Sequence, residues 1–264
     1  MTPDSPDNRS SGTRSSDIQN SGVERFGVAL AALDAEVDWD RVASVYCKGH
    51  ADGFFDEERR GAVLDAGLKL ASDIGELLKR GGRSLYVGAA VAELAPMLFE
   101  CLVLGRTVVW VAPKTVETDE LTRALELASK AVGKALPVPR TDRWKGRAIG
   151  PCDHIWMTSV LTDPDAFPAL HNELYERRGT KESVSGGHPK AERQKARELV
   201  EQAVAAAAVD TRLTTTDEEL VYWVPAVEDL GGTVDVARTG RTSGLVGDIV
   251  RHCRIRIPKR RARS

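Results

Sequence analysis

An alternation that begins near residue 83 constrains this chain more than any other feature. Ser84-Leu-Tyr-Val-Gly88, Thr107-Val-Val-Trp-Val-Ala112 and His154-Ile-Trp-Met-Thr-Ser-Val160 are short apolar runs, separated by stretches with helical spacing. Their apolar residues are consecutive rather than alternate, so both faces of each run must be covered. That is the pattern of a parallel sheet between two helical layers. One intervening helix is expected from about Leu94, with Pro96 in its first turn. Another runs from Glu117 to about Val132, and a third from Asp163 to the residues before Gly179. A weak strand is expected at 136–138, where Pro137 and Pro139 flank Val138. The polar, glycine-rich stretch 180–189 reads as a mobile loop, followed by a helix at 191–208. Three last strands, at 220–224, 233–237 and 252–257, would close the sheet. The expected fold is therefore α/β: a Rossmann-like, mostly parallel sheet with helices on both faces, antiparallel C-terminal edge strands and N-terminal helices.

Residues 1–20 are almost free of large apolar side chains and read as a disordered tail, because they cannot offset the entropy of ordering. Ser21-Gly-Val-Glu24 has capping-box spacing ahead of Phe26, Leu30 and Leu33. A stronger helix follows, with Asp56, Glu57 and Glu58 at its start and Val63, Leu70, Ile74 and Leu77 at helical spacing. Lys79-Arg80 and Gly81-Gly82 supply its stop. The expected organisation is a tail at 1–20, a helical segment at 21–82 packing on the core, an α/β domain at 83–257 and a basic tail at 258–264.

With 42% hydrophobic and 29% charged residues in 264, the chain can bury a large core, which argues against disorder throughout. No run is long and apolar enough to span a bilayer, and the four scattered cysteines fit reduced thiols in the cytoplasm. Cys47-x-x-His50 with Cys152-x-His154 could offer four zinc ligands, but the second spacing is too tight for a knuckle and no metal site is expected. The net charge of −2 is a cancellation: residues 251–264 hold seven Lys or Arg and no acid, leaving −9 for the rest. Such an end can neutralise phosphates, so nucleic acid is a candidate partner. The competing reading is a solvated strand edge that discourages pairing.

A ligand of an open α/β sheet binds outside the carboxyl ends of the strands, at the first βα turn. Here that turn is Gly88-Ala89-Ala90-Val91-Ala92-Glu93, which is neither a dinucleotide fingerprint nor a P-loop. The stretch Leu85–Glu100 resembles the first motif of the class I S-adenosylmethionine-dependent methyltransferases. The order of elements resembles that family too, and Asp153–Leu161 with the helix after it is similar to its fourth strand and following helix. The resemblance implies S-adenosylmethionine as cofactor and a small molecule as substrate. It places Gly88, Ala89, Ala90, Glu93, Pro113 and Asp142 at the cofactor. Ser159 and Asp163, with Thr158 and Thr162, fall where polar groups would face the methyl group.

The chain departs from that pattern at several positions. Tyr86 stands where the first-motif acid is expected, and Ala90 and Ala92 replace glycines. The second strand ends Ala112-Pro113-Lys114, with no carboxylate for the ribose hydroxyls. Glu93, Glu117 and Asp119 are the acids near enough to substitute. Asp163 before Pro164 also suits a turn or cap. His50, His171 and His188 could act as bases or simply be solvated, and Trp144 could stack on adenine or pack under a loop. The expected function is a divergent methyltransferase. The alternatives are a non-catalytic Rossmann-like module, its pocket closed by Tyr86 or Pro113, and a nucleic-acid-associated protein using the basic C-terminus.

Overall fold

The computed structural model describes residues 11–47, 53–177, 179–181 and 183–258, with side chains from residue 21 onward. The apolar runs form β1 (Arg83–Val87), β2 (Thr107–Val111) and β3 (Cys152–Met157), joined by β4 (Ala207–Thr216), β5 (Thr233–Asp235), β6 (Arg241–Thr242) and β7 (Ile249–Arg256). The seven strands make one sheet in the order β2-β1-β3-β4-β7-β5, with β6 also on β7. The first four are parallel, while β7 is antiparallel to both β4 and β5. From β1 the chain winds outward to β2, then crosses back to β3. The direction of winding therefore reverses between β1 and β3, the place where such sheets open a crevice.

Consecutive apolar residues occur because each face of the sheet has its own core. Tyr86, Trp110 and Trp156 are in register across three strands on one face. They pack with Leu33, Leu70, Ile74, Leu98, Leu121 and Leu125 from α1 (Ser11–Glu36), α3 (Glu57–Leu77), α4 (Leu94–Leu102) and α5 (Val116–Val132). Leu85, Val87, Ile155 and Met157 face the other side. Their partners there come from α7 (Pro168–Leu174), α8 (Pro189–Ala205) and α9 (Leu220–Glu228). Two short helices, α2 (Trp39–Tyr46) and α6 (Gly146–Ile149), complete the elements.

The expected fold class is the observed one, with local corrections. Helix α1 starts at Ser11, so Ser21 lies within it rather than capping it, while residues 1–10 fall outside the described residues. No strand forms at 136–138; what remains is a parallel bridge between Val111 and Arg140. Pro137 and Pro139 have no N–H to give a ladder. Residues 220–224 are helical, because Leu220, Trp223 and Val227 recur at helical spacing and bury one face. The strand in that part of the chain is β4, whose start reads from sequence as the end of the preceding helix. Helix α7 begins at Pro168, since the Asp163 carboxylate instead closes a turn on the Asp165 and Ala166 amides.

A buried polar chain crosses the first core. Glu100 of α4, fully buried, accepts from Arg106 Nε at 3.0 Å and Tyr86 Oη at 2.6 Å, and also bonds Ser84. His154 Nδ1 lies 2.8 Å from the same carboxylate. His154 Nε2 meets Thr214 Oγ1 at 3.0 Å, which in turn meets His252 Nδ1 at 2.9 Å. Burial pushes Glu100 up, but the charge of His154 and bonds from His154, Ser84 and Tyr86 outweigh it and hold the carboxyl below its ordinary value. Tyr86 thus serves this chain rather than the crevice.

Candidate active site at the carboxyl ends of the first and third strands

The turn after β1 starts at Gly88, whose φ of +65° favours glycine. Its N–H continues the ladder to Val111 O at 2.8 Å. The carbonyl of Ala89 accepts from Trp110 Nε1 at 3.1 Å, tying the turn to β2. A 3-10 turn at Val91–Glu93 then leads into α4. Glu93 folds back so that its carboxylate accepts the Ala90 N–H at 2.9 Å and the Thr158 hydroxyl at 3.0 Å. Thr158, just past β3, also accepts from Trp156 Nε1 at 3.0 Å.

Glu117 reaches the same turn from α5. Thr115 and Thr118 form the N-terminal capping box of that helix. This fixes Glu117 in the first turn, where it accepts the Val91 N–H at 3.0 Å and the Tyr46 hydroxyl at 2.8 Å. Tyr46 comes from α2 and stacks on Phe54. Burial pushes Glu93 up to about 7 against the bonds from Ala90 and Thr158, with Glu117's charge adding to the rise. Burial raises Glu117 too, and the charge of Asp163 adds to it. Tyr46 is raised by burial first and by Glu117 next. An apolar cavity of about 50 Å³ lies behind the turn, walled by Leu30, Val37, Trp39, Val63, Val91 and Ala95.

On the β3 side, Ser159 has a φ of 57° and donates to Asp248 Oδ2 at 2.7 Å. Tyr175 donates to the other oxygen of Asp248 at 2.6 Å. The next two amides, of Val160 and Leu161, end on Glu219 Oε1 at 2.6 and 2.9 Å. Glu219 is fully buried and raised by that burial to about 7.

The structure brings Gly88, Ala89, Ala90 and Glu93 together with Thr158 around this turn. Pro113 and Asp142 are exposed, Pro113 beyond the end of β2 and Asp142 in the segment after Arg140. Asp163 acts as a turn cap. Trp144 packs into the second core, His171 lies between Thr162 O and Arg177, and His188 caps α8. Neither Tyr86 nor Pro113 closes the turn; Val160 covers it, since a Cβ on Gly88 would lie 2.6 Å from Val160 Cγ2. Tyr46, Glu219, Asp248 and Tyr175 carried no local sequence signal.

Among the described residues no group of three His, Cys, Asp or Glu could hold a metal ion, and no helix is long and apolar enough to cross a membrane. His50 lies outside them, and His154 is engaged in the buried chain. At the basic end, Arg251 pairs with Asp217 and Arg254 with Asp210. Residues 259–264 fall outside the described residues.

A parallel sheet wound in both directions from β1, a ligand turn at that reversal and an antiparallel β7 inserted before β5 decide the fold. It is a Rossmann-like α/β fold. No protein-family model matches the chain, and no curated protein is significantly similar to it. Among solved structures, the chain is similar to magnesium protoporphyrin IX methyltransferase from Synechocystis with bound SAH. The two are 13% identical over 82% of this chain and 93% of that one, with a TM-score of 0.49. Precorrin-6y C5,15-methyltransferase from Geobacter metallireducens is 11% identical, over 72% of this chain and 87% of that one, at a TM-score of 0.43. A methyltransferase from Pyrococcus furiosus is 12% identical, over 72% of this chain and 82% of that one, at 0.43.

Proposed function

We propose that the chain is an S-adenosylmethionine-dependent methyltransferase with a small-molecule acceptor, its cofactor lying across the carboxyl ends of β1 and β3. The observation that carries this reading is the meeting of Glu93, Glu117 and Tyr46 at the reversal of the sheet. Buried carboxylates held only by neutral donors are stabilised by an incoming cation, and the cofactor brings a sulfonium and an ammonium group. In this reading Gly88, Ala89 and Ala90 give the backbone approach and Glu93 takes the amino group. Pro113 and Asp142 border the adenine, and Ser159 or Asp163 lies nearest the acceptor. The residues fit the cationic part of the cofactor and not its ribose, because Pro113 and Lys114 offer no carboxylate. When bound, the cofactor supplies an electrophilic methyl group. The chain's own part is to position the acceptor and exclude water. Its free cysteines fit a cytoplasmic setting.

Titration calorimetry with S-adenosylmethionine and S-adenosylhomocysteine tests the reading, together with mass spectrometry of any ligand that co-purifies. Saturable heat with both ligands is expected. No heat and no melting shift with either would remove the cofactor. A second reading, a Rossmann-like module without cofactor, is favoured by Val160 over Gly88 and by the two turn amides already bonded to the chain's own carboxylates. Nucleic-acid binding is the weakest of the three, since Arg251 and Arg254 are neutralised by neighbouring aspartates. It would now rest on residues 258–264, and deleting them should flatten any salt dependence of RNA or DNA binding.

A further inference from the structure

We propose that residues 158–161 form a strap that holds the turn after β1 shut, and that a ligand enters only when the strap swings off Gly88. The proposal rests on the cofactor reading for the identity of the ligand and not for the existence of the strap.

A turn at a helix start receives an anionic group through its free amides and through the bare face of its glycine. In this chain the glycine face and two of the turn amides are in use. Val160 covers Gly88, with its Cγ2 2.6 Å from where a Cβ would stand. The Ala90 amide ends on Glu93 and the Val91 amide on Glu117, and Tyr46 holds Glu117 from the α2 side. The carboxylate of a bound amino acid would compete directly with these groups.

The strap has a hinge and two fasteners. Ser159 sits at a φ of 57°, a conformation that costs energy for any residue with a side chain and persists only when its surroundings impose it. The imposing contact is its hydroxyl on Asp248, at 2.7 Å. Glu219 is the second fastener, through the Val160 and Leu161 amides at 2.6 and 2.9 Å. Releasing Ser159 from Asp248 lets its backbone relax to negative φ, which turns the following residue, Val160, away from the glycine. At the other end Thr158 stays tied to Glu93 and Trp156, so motion is confined to the few residues between. The closed strap taxes ligand affinity by the fraction of molecules that are open.

The test uses the full chain with Asp248→Asn, which loosens the hinge, and Val160→Ala, which removes the plug without touching either fastener. Without ligand, Asp248→Asn should speed hydrogen exchange of the Val160 and Leu161 amides about tenfold over wild type. With S-adenosylhomocysteine as probe, both variants should bind about tenfold more tightly than wild type. Unchanged exchange in Asp248→Asn overturns the strap whatever the ligand does. Faster exchange with no binding in any of the three proteins keeps the strap and removes the cofactor reading. Binding at wild-type affinity in Val160→Ala keeps the cofactor reading and overturns the strap as a barrier.

Discussion

Glu100 and Glu219 are both fully buried, yet their protonation moves in opposite directions. Around Glu100 the charge of His154 and three hydrogen-bonding side chains overcome burial, and Arg106 lies against it. Around Glu219 the donors are two backbone amides and a threonine hydroxyl, burial wins, and the charge of Asp248 pushes the same way. The first region is a clamp between α4 and the sheet, ionised at any working pH. The second changes protonation near neutrality, and it does so beside the turn where a ligand would arrive. Buried carboxylates in one domain thus divide by partner: cations hold the core, and amides hold the loops.

The largest break in this contrast should come from Arg106→Met. Leaving Glu100 buried without its guanidinium should cost about 3–5 kcal/mol in urea unfolding. A loss near zero would mean that His154 alone carries the pair. The pH dependence comes next. The raised values of Glu93 and Glu219 favour protonation in the folded state, so their contribution is complete below the unfolded carboxylate range and is lost as pH rises through about 7. For Glu219 the loss is of the order of 3 kcal/mol. His252 works on the other side: burial, with His154's charge, lowers it to about 4, so its contribution stands above the unfolded histidine range and falls away towards pH 4. Thermal melts should therefore show higher stability near pH 6 than at pH 8, and Glu219→Gln should flatten that slope.

Gly88→Ala should have a smaller effect, about 1–3 kcal/mol, because alanine at positive φ is strained and its Cβ meets Val160. Its melting curve, compared with that of the double variant with Val160→Ala, separates the backbone term from the clash. The smallest effect is expected for Arg254→Ala. The guanidinium and Asp210 are both solvent-exposed, and the melting temperature should not move measurably.

The sheet was legible because strands buried on two faces leave uninterrupted apolar runs, as at Leu85-Tyr86-Val87. What escaped were elements whose identity depends on the neighbours. Trp223 and Val227 fit a helix only once the second core is there to receive them. Thr214, Thr215 and Thr216 become a strand because β3 and β7 flank them. The site divides in the same way. Gly88 and Glu93 lie within one turn and could be read locally. Tyr46 meets Glu117 across 71 residues, and Glu219 meets Leu161 across 58, pairings that only the packed helices create.

The position of β7 bears on how the sheet is assembled. β5 comes before β7 in the chain, yet among the described strands β7 is its hydrogen-bonding neighbour. Residues 233–235 therefore reach the sheet only through 249–256, and this corner is ordered against the direction of the chain. Until β7 inserts, the β4 edge from Asp210 to Thr216 stands open, with its amides and carbonyls free to meet another molecule's strand. How quickly β7 inserts then sets how long a newly made chain is exposed to association with its neighbours.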